Sequence, residues 1–160
     1  IFDFGWICPD CGVAMGEGEA PEICPYCGAE IGRAKTLYYV KRVIGLPGDK
    51  IEIKQEGTVL VGDITEAPPG SLAGLSEDTE LVTAAVYVNG EKLSEPYIKE
   101  PMLYTGDQEF EVPEDCYFML GDNRNNSEDA RYWNDPYIPE DRMLAKVYFR
   151  YWPGIKWLDE

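Results

Sequence analysis

The chain has 160 residues, 30 acidic against 14 basic, for a net charge of −16 with no histidine. That length holds one domain, or one domain with a small insert, and allows a real core. The charge argues against contact with nucleic acid or an anionic lipid surface through this part of the molecule, and no apolar run reaches the length of a membrane span.

In chain order, Ile1-Phe2-Asp3-Phe4-Gly5-Trp6-Ile7 reads as a strand entered part-way along. With no initiator methionine and no secretory signal pattern, the chain is expected to be a fragment of something longer. Cys8, Cys11, Cys24 and Cys27 follow as C-x2-C-x12-C-x2-C, each pair inside a Cys-Pro-x-Cys-Gly turn. Such a turn aims two thiolates at one point, and two turns supply a closed tetrahedral site for zinc. Two disulfides, a redox Cys-x-x-Cys and a rubredoxin-like iron site are the alternatives for the same residues. Closed coordination by four thiolates leaves no open position for substrate, so the metal is assigned to structure or partner contact and not to catalysis.

Leu37 to Asp49, LYYVKRVIGLPGD, reads as a strand ended by turn-forming residues. Period-two alternation puts Leu37, Tyr39, Lys41 and Val43 on one face and Tyr38, Val40, Arg42 and Ile44 on the other. Lys41 thus lies among apolar neighbours. A free lysine, with a pKa of about 10.4, is protonated at neutral pH; lowering that by about three units needs roughly 4 kcal/mol against the charge, which desolvation can supply. The plainer account is a lysine that snorkels to water from an edge strand.

Lys50 to Lys54 alternates as a short strand, and the acidic stretch to about Ala85, broken by Pro68-Pro69-Gly70, reads as a variable excursion or mobile loop. Asn89-Gly90, between Val86-Tyr87-Val88 and Glu91-Lys92-Leu93, is a hairpin signal. Pro96, Pro101 and Pro113 suit short strands and loops better than helices. Tyr117 to Leu120 is a buried-type strand headed by Cys116, expected as a small core residue, and Ala145 to Trp152 alternates as another. Gly121 to Arg131 is a loop leaving the buried strand, which composition alone makes a surface turn. No long amphipathic helix appears, so the fold class is mainly β.

KRVIGLPGD (Lys41 to Asp49) and GDNRNNSEDAR (Gly121 to Arg131) together resemble the bacterial type I signal peptidases, membrane-bound serine proteases that remove signal peptides from exported proteins. YVNGEKLSEPYI (Tyr87 to Ile98) and AKVYFRYWPG (Ala145 to Gly154) are similar to further family text. The resemblance covers most of residues 37–54 and 86–154, leaving the first 35 residues and the segment near 55–85 outside. It implies a signal-peptidase-like antiparallel β catalytic domain over 34–160. The strand at 1–7 leads in, and a zinc ribbon at 8–33, which typical members lack, is inserted as if at the tip of a hairpin.

The resemblance also implies a chemistry. Lys41, neutral through desolvation, accepts a proton from a serine attacking the scissile carbonyl and passes it to the leaving amine, a Ser-Lys variant of serine-protease catalysis. Having no histidine agrees with that. Ser127 orients the amine, and an Asp129–Arg131 ion pair holds the loop. Position 130, commonly serine in the family, is Ala130. The nucleophile belongs to an earlier Ser-x-Ser-Met box absent from residues 1–160, whose serines are Ser71, Ser76, Ser94 and Ser127. The fragment is therefore expected to be inactive alone. Tyr39 and Val40 correspond to residues lining the groove where a signal peptide lies as an extended strand. The implied location is the cytoplasmic membrane, held through a missing N-terminal anchor, with the catalytic domain on the extracytoplasmic face; no cofactor serves catalysis. Two other readings are a catalytically dead relative whose zinc ribbon binds partner proteins, and a self-cleaving repressor of the SOS type.

Overall fold

The structure, a computed structural model, describes residues 1–8, 10–15, 21–31, 35–147, 149–150 and 156–157. It divides into two compact units, Ile1–Val40 with Asp141–Glu160, and Lys41–Glu140. The described elements are antiparallel strands and short 3-10 turns, the mainly β architecture expected from the alternating apolar pattern.

In the first unit, β1 (Phe2–Ile7) lies between β2 (Ala14–Met15) and β3 (Lys35–Tyr39). β1 and β3 pair antiparallel from Phe2↔Tyr39 to Ile7↔Lys35, so the cysteine segment leaves and returns at the same end of one hairpin. Phe2 is fully buried, meets Tyr39 edge-to-face at 6.1 Å and bridges to Met143. Over 145–152, where alternation predicts one strand, Phe149–Arg150 pairs with Lys156–Trp157 while 145–147 is irregular; 148, 151 and 152 lie outside the described residues.

The second unit holds β4 (Arg42–Gly45), β5 (Lys50–Leu60), β6 (Glu80–Val88), β7 (Glu91–Lys92), β8 (Met102–Leu103), β9 (Gln108–Glu111), β10 (Cys116–Leu120) and β11 (Tyr137–Pro139). One sheet runs β7-β6-β5-β9 with β8 also on β6; the other runs β11-β10-β4. Ile44, Ile51, Ile53, Val86, Met102, Val112, Phe118, Leu120 and Ala130 from both sheets and their connections form one buried cluster. Burying such side chains stabilises by roughly 1.5–3 kcal/mol each for the larger ones, relative to exposure. Gly45 is packed against this cluster: a Cβ there would stand 2.9 Å from Ile51 Cδ1 and from Val112 Cγ2.

Two expectations change. The single strand predicted over Leu37–Ile44 is broken at Val40–Lys41, and only Ile44 of the two alternating sets is buried within β4. The excursion expected near 55–85 is shorter than that, because β5 and β6 continue their pairing as far as Leu60↔Glu80 past an irregularity between Gln55 and Gly57, leaving turns and irregular chain between Val61 and Thr79. Alternation fades beyond Lys54 because both faces of β5 meet water there, which removes the apolar signal that marks a strand in sequence. Glu100 anchors the connection that follows, accepting from the Thr65 and Glu66 amides at 2.7 and 3.0 Å.

The two turns named by sequence form as expected. Pro47 and Gly48 (φ 83°) close a turn in which Asp49 accepts from the Leu46 amide at 2.8 Å. Asn89 (φ 53°) and Gly90 (φ 84°) join β6 to β7, and Asn89 Nδ2 donates to Asp49 at 2.8 Å, locking the two turns together. Among the described residues, no helix is long and apolar enough to cross a membrane.

Candidate active site

Sheet register creates this site. β10 pairs with β4 through Met119↔Val43 and Leu120↔Arg42, so the next residue on one strand, Gly121, arrives beside the preceding one on the other, Lys41. Lys41 Nζ donates to Ser127 Oγ at 2.7 Å, across 86 residues of sequence. The Ser127 hydroxyl also helps hold the Asp129 carboxylate in its charged form. Asp129 and Arg131 form a two-pronged ion pair with both contacts at 2.8 Å, almost wholly removed from solvent.

Gly121 is held at both ends. Its amide donates to Asp129 Oδ2 at 3.0 Å, and its carbonyl accepts from Arg124 Nε at 3.0 Å. Arg131 Nη2 donates in turn to the Arg124 carbonyl at 2.7 Å. The absent side chain is what permits the contact, since a Cβ on Gly121 would lie 2.1 Å from Ser127 Oγ and 3.6 Å from Lys41 Nζ. Gly121→Ala is therefore expected to push Ser127 off the lysine, lowering any Lys41-dependent activity of the full-length protein by about two orders of magnitude. Comparing its cleavage rate with wild type, with thermal unfolding as a check on folding, measures this.

The electrostatics suit a neutral amine. Burial lowers the Lys41 pKa from its ordinary value; the nearby Asp129 charge opposes this, Arg131 adds to the lowering, and Glu128 opposes it. Burial alone would raise the Asp129 carboxyl, but the Arg131 guanidinium and the Gly121 and Ser127 donors hold it below the ordinary carboxylate value. The carboxylate is thus fixed as an anion already claimed by Arg131, leaving the serine hydroxyl between it and the amine. An amine partly stripped of water, hydrogen-bonded to an oriented hydroxyl, is a competent general base at moderate pH. Ala130 faces the core and is 1% exposed, so a hydroxyl there would need a buried partner.

Arg42 and Asp122 extend the site in a way sequence reading missed. Arg42 donates to both carboxylate oxygens of Asp122, at 2.7 and 2.8 Å, clipping the residue after Lys41 to the residue after Gly121. Both lay inside the quoted motifs, but nothing in their spacing says which cation meets which anion. Tyr39 is half-buried at the end of β3 and Val40 is 63% exposed; they directly precede Lys41 in the chain. A surface depression of about 320 Å³ lined by residues 52–55 and 107–109 shares no residue with the lysine site.

The four cysteines form a second constellation. Their sulfurs all lie within 4.8 Å of one another, and Cys8–Cys27 and Cys11–Cys24 are each 3.8 Å apart. Each knuckle repeats one geometry: the first cysteine is buried, its amide donates to the residue five on, and its carbonyl accepts from the glycine four on. Gly12 (φ 72°) and Gly28 (φ 74°) adopt the left-handed backbone this needs. Burial opposes the Cys24 thiolate, yet the Cys27 and Tyr26 amides and neighbouring thiols bring its pKa down to about 7. A tetrahedron of sulfurs about 2.3 Å from a central zinc has edges of about 3.8 Å, so the spacing fits a four-thiolate metal. It is far from the roughly 2.05 Å of a disulfide.

Comparison with known proteins covers both motif stretches and most of the chain between them. The chain matches the family described as signal peptidase, peptidase S26, over residues 19–68 and 72–152. The chain belongs to that family. This signal peptidase domain is 33% identical over 141 residues to a probable signal peptidase I-2 of Synechocystis, covering 87% of this chain and 50% of that protein. To signal peptidase I of Pseudomonas aeruginosa it is 38% identical, covering 66% and 37% of the two chains. The signal peptidase I of Bacillus caldolyticus is 36% identical, with 72% and 54% covered. A solved signal peptidase I from Enterococcus faecalis shares 26% identity over 69% of this chain and 80% of that one, with a TM-score of 0.37, too loose to add to the assignment. The domain thus spans about half, or less, of the curated relatives it matches. Lys41, Ser127, Asp129 and Arg131 fall inside the matched residues; of the cysteines, Cys24 and Cys27 do and Cys8 and Cys11 do not.

Proposed function

We propose that the protein containing this chain is a serine endopeptidase of the Ser-Lys type that removes signal peptides from exported preproteins, with Lys41 as its general base. The observation that carries this reading is the 2.7 Å bond from the Lys41 amine to Ser127, in surroundings that disfavour the protonated amine. A serine supplied by the chain upstream attacks the scissile carbonyl; Lys41 takes its proton and returns it to the leaving amine. Ser127 positions the amine, and Asp129 with Arg131 holds Ser127. The signal peptide lies extended, with Tyr39 and Val40 beside it, and the protein works at the outer face of the cytoplasmic membrane through an upstream anchor. Catalysis needs no metal in this scheme. Cys8, Cys11, Cys24 and Cys27 hold zinc, which supplies structure to the ribbon.

The test is cleavage of a purified preprotein by the protein carrying its own upstream sequence, with the new N-terminus determined. Cleavage at the end of the signal peptide is expected. Ser127→Ala should slow it by about 10²-fold or more without abolishing it, because the residue orients the base and is not the nucleophile. No cleavage by wild-type protein, with the fold intact, would favour the dead-relative reading instead.

A further inference from the structure

Glu95-Pro96-Tyr97 lies outside both motif boxes, yet it reaches the groups on either side of the lysine contact. Both Glu95 oxygens accept from Arg124, at 2.9 and 2.5 Å, and the Arg124 side chain is fully buried while that of Glu95 is 10% exposed. Arg124 is the residue whose Nε holds the Gly121 carbonyl. Tyr97 donates its hydroxyl to Glu95 at 2.8 Å, and the Arg42 guanidinium sits over the Tyr97 ring at 3.7 Å. Burial and the Glu95 bond push the Tyr97 phenol up to about 12, so it remains a donor through any pH at which the protein works.

We propose that Glu95 and Tyr97 are positioning residues for the Lys41 base. They join Arg42, next to Lys41, to Arg124, which fixes Gly121 against Ser127. The inference rests on the peptidase reading for its effect on rate. It rests on geometry alone for its effect on Lys41. The path closes on itself: Arg42 to Asp122 on one side, and Arg42, Tyr97, Glu95, Arg124 and Gly121 on the other. Without Glu95 a fully buried guanidinium would lose both of its carboxylate acceptors and keep only the Gly121 carbonyl, and Arg124 would have to turn toward others, releasing that carbonyl. Asp129, Arg131 and Glu128 are among the charges acting on Lys41, and Tyr97→Leu removes no charge, so a shift of the Lys41 titration common to Glu95→Gln and Tyr97→Leu reports displacement and not a lost direct field.

The experiment uses the full-length protein and compares Glu95→Gln, Tyr97→Leu and Tyr97→Phe. Two quantities are read: kcat and KM for preprotein cleavage across pH, and the pH midpoint at which the Lys41 amine is acetylated by a small amine-directed reagent, followed by peptide mass spectrometry. Glu95→Gln is expected to lower kcat about tenfold or more with KM within about twofold, and to move both the acid limb of activity and the labelling midpoint to higher pH as water reaches the amine. Tyr97→Leu should do the same, whereas Tyr97→Phe, which keeps the stacked ring, should stay within about threefold of wild type. If Glu95→Gln does not fold, Tyr97→Leu at its half-exposed position carries the test. Wild-type kcat and midpoint in both Glu95→Gln and Tyr97→Leu would overturn the proposal. So would a lower kcat that follows only a lower melting temperature, with the midpoint unmoved. A wild-type protein that never cleaves, while the midpoint still shifts in the variants, would sink the peptidase reading and leave the positioning role standing.

Discussion

Lys41→Met in the full-length protein is expected to lower preprotein cleavage by about 10²- to 10⁴-fold, the range that a positioned general base contributes. Lys41→Arg should be equally inactive, because a guanidinium keeps its proton. Neither change should unfold the domain. Methionine fills a similar volume, and the Asp129–Arg131 pair that holds the loop does not involve Lys41. The stability of the wild-type protein also carries a signature of this lysine. Its folded pKa lies below the unfolded value, so between the two the unfolded chain holds the extra proton and stability rises with pH; below both, the full penalty for a desolvated cation is present. In Lys41→Met that rise should disappear, and at neutral pH the variant should be at least as stable as wild type. Denaturant unfolding at pH 7 and at higher pH, set beside cleavage rates, measures both. A Lys41→Met protein that cleaves at the wild-type rate would remove the base from the scheme.

Stripping metal is the other change expected to have a large effect. Among the described residues of 8–31, Cys8, Cys24 and Ile31 form a small apolar cluster of their own, too little to order two knuckles. A four-thiolate zinc supplies apparent binding free energy of about 10–16 kcal/mol, and since no such site exists in an unfolded segment, that energy is folding energy. Purified protein should contain about one zinc per chain. A chelator, or Cys24→Ala, should release it and abolish amide-exchange protection at the Cys8, Gly12, Cys24 and Gly28 amides, which the knuckle turns hydrogen-bond. Cys116→Ala, outside the cluster, should leave metal content unchanged. Protein with no metal and no free thiols would mean that the four cysteines pair as disulfides.

How far the sequence could be read depended on where each signal resides. Turn chemistry was local and legible: Asn89-Gly90 and Pro47-Gly48 need only their own backbone preferences, and both form as expected. The cysteine spacing was legible because two repeated knuckles each aim a pair of sulfurs at one point, and the four sulfurs do meet. Resemblance placed Lys41 near Ser127, but not the reason: the register Leu120↔Arg42 delivers Gly121 to Lys41, and register between strands far apart in sequence leaves no trace in either. Glu95 was hidden for the same cause, since nothing about a glutamate near a proline shows that it will hold a buried arginine 29 residues on. The extension of β5 was missed because a strand wet on both faces has no apolar alternation to display.

The most direct measurement is the titration of Lys41 itself in the full-length protein. With lysine ¹³C-labelled at Cε and Lys41→Arg used to assign its signal, the account predicts that Lys41 deprotonates at distinctly lower pH than the other lysines. A Lys41 that titrates with them, near the ordinary value of about 10.4, would contradict it.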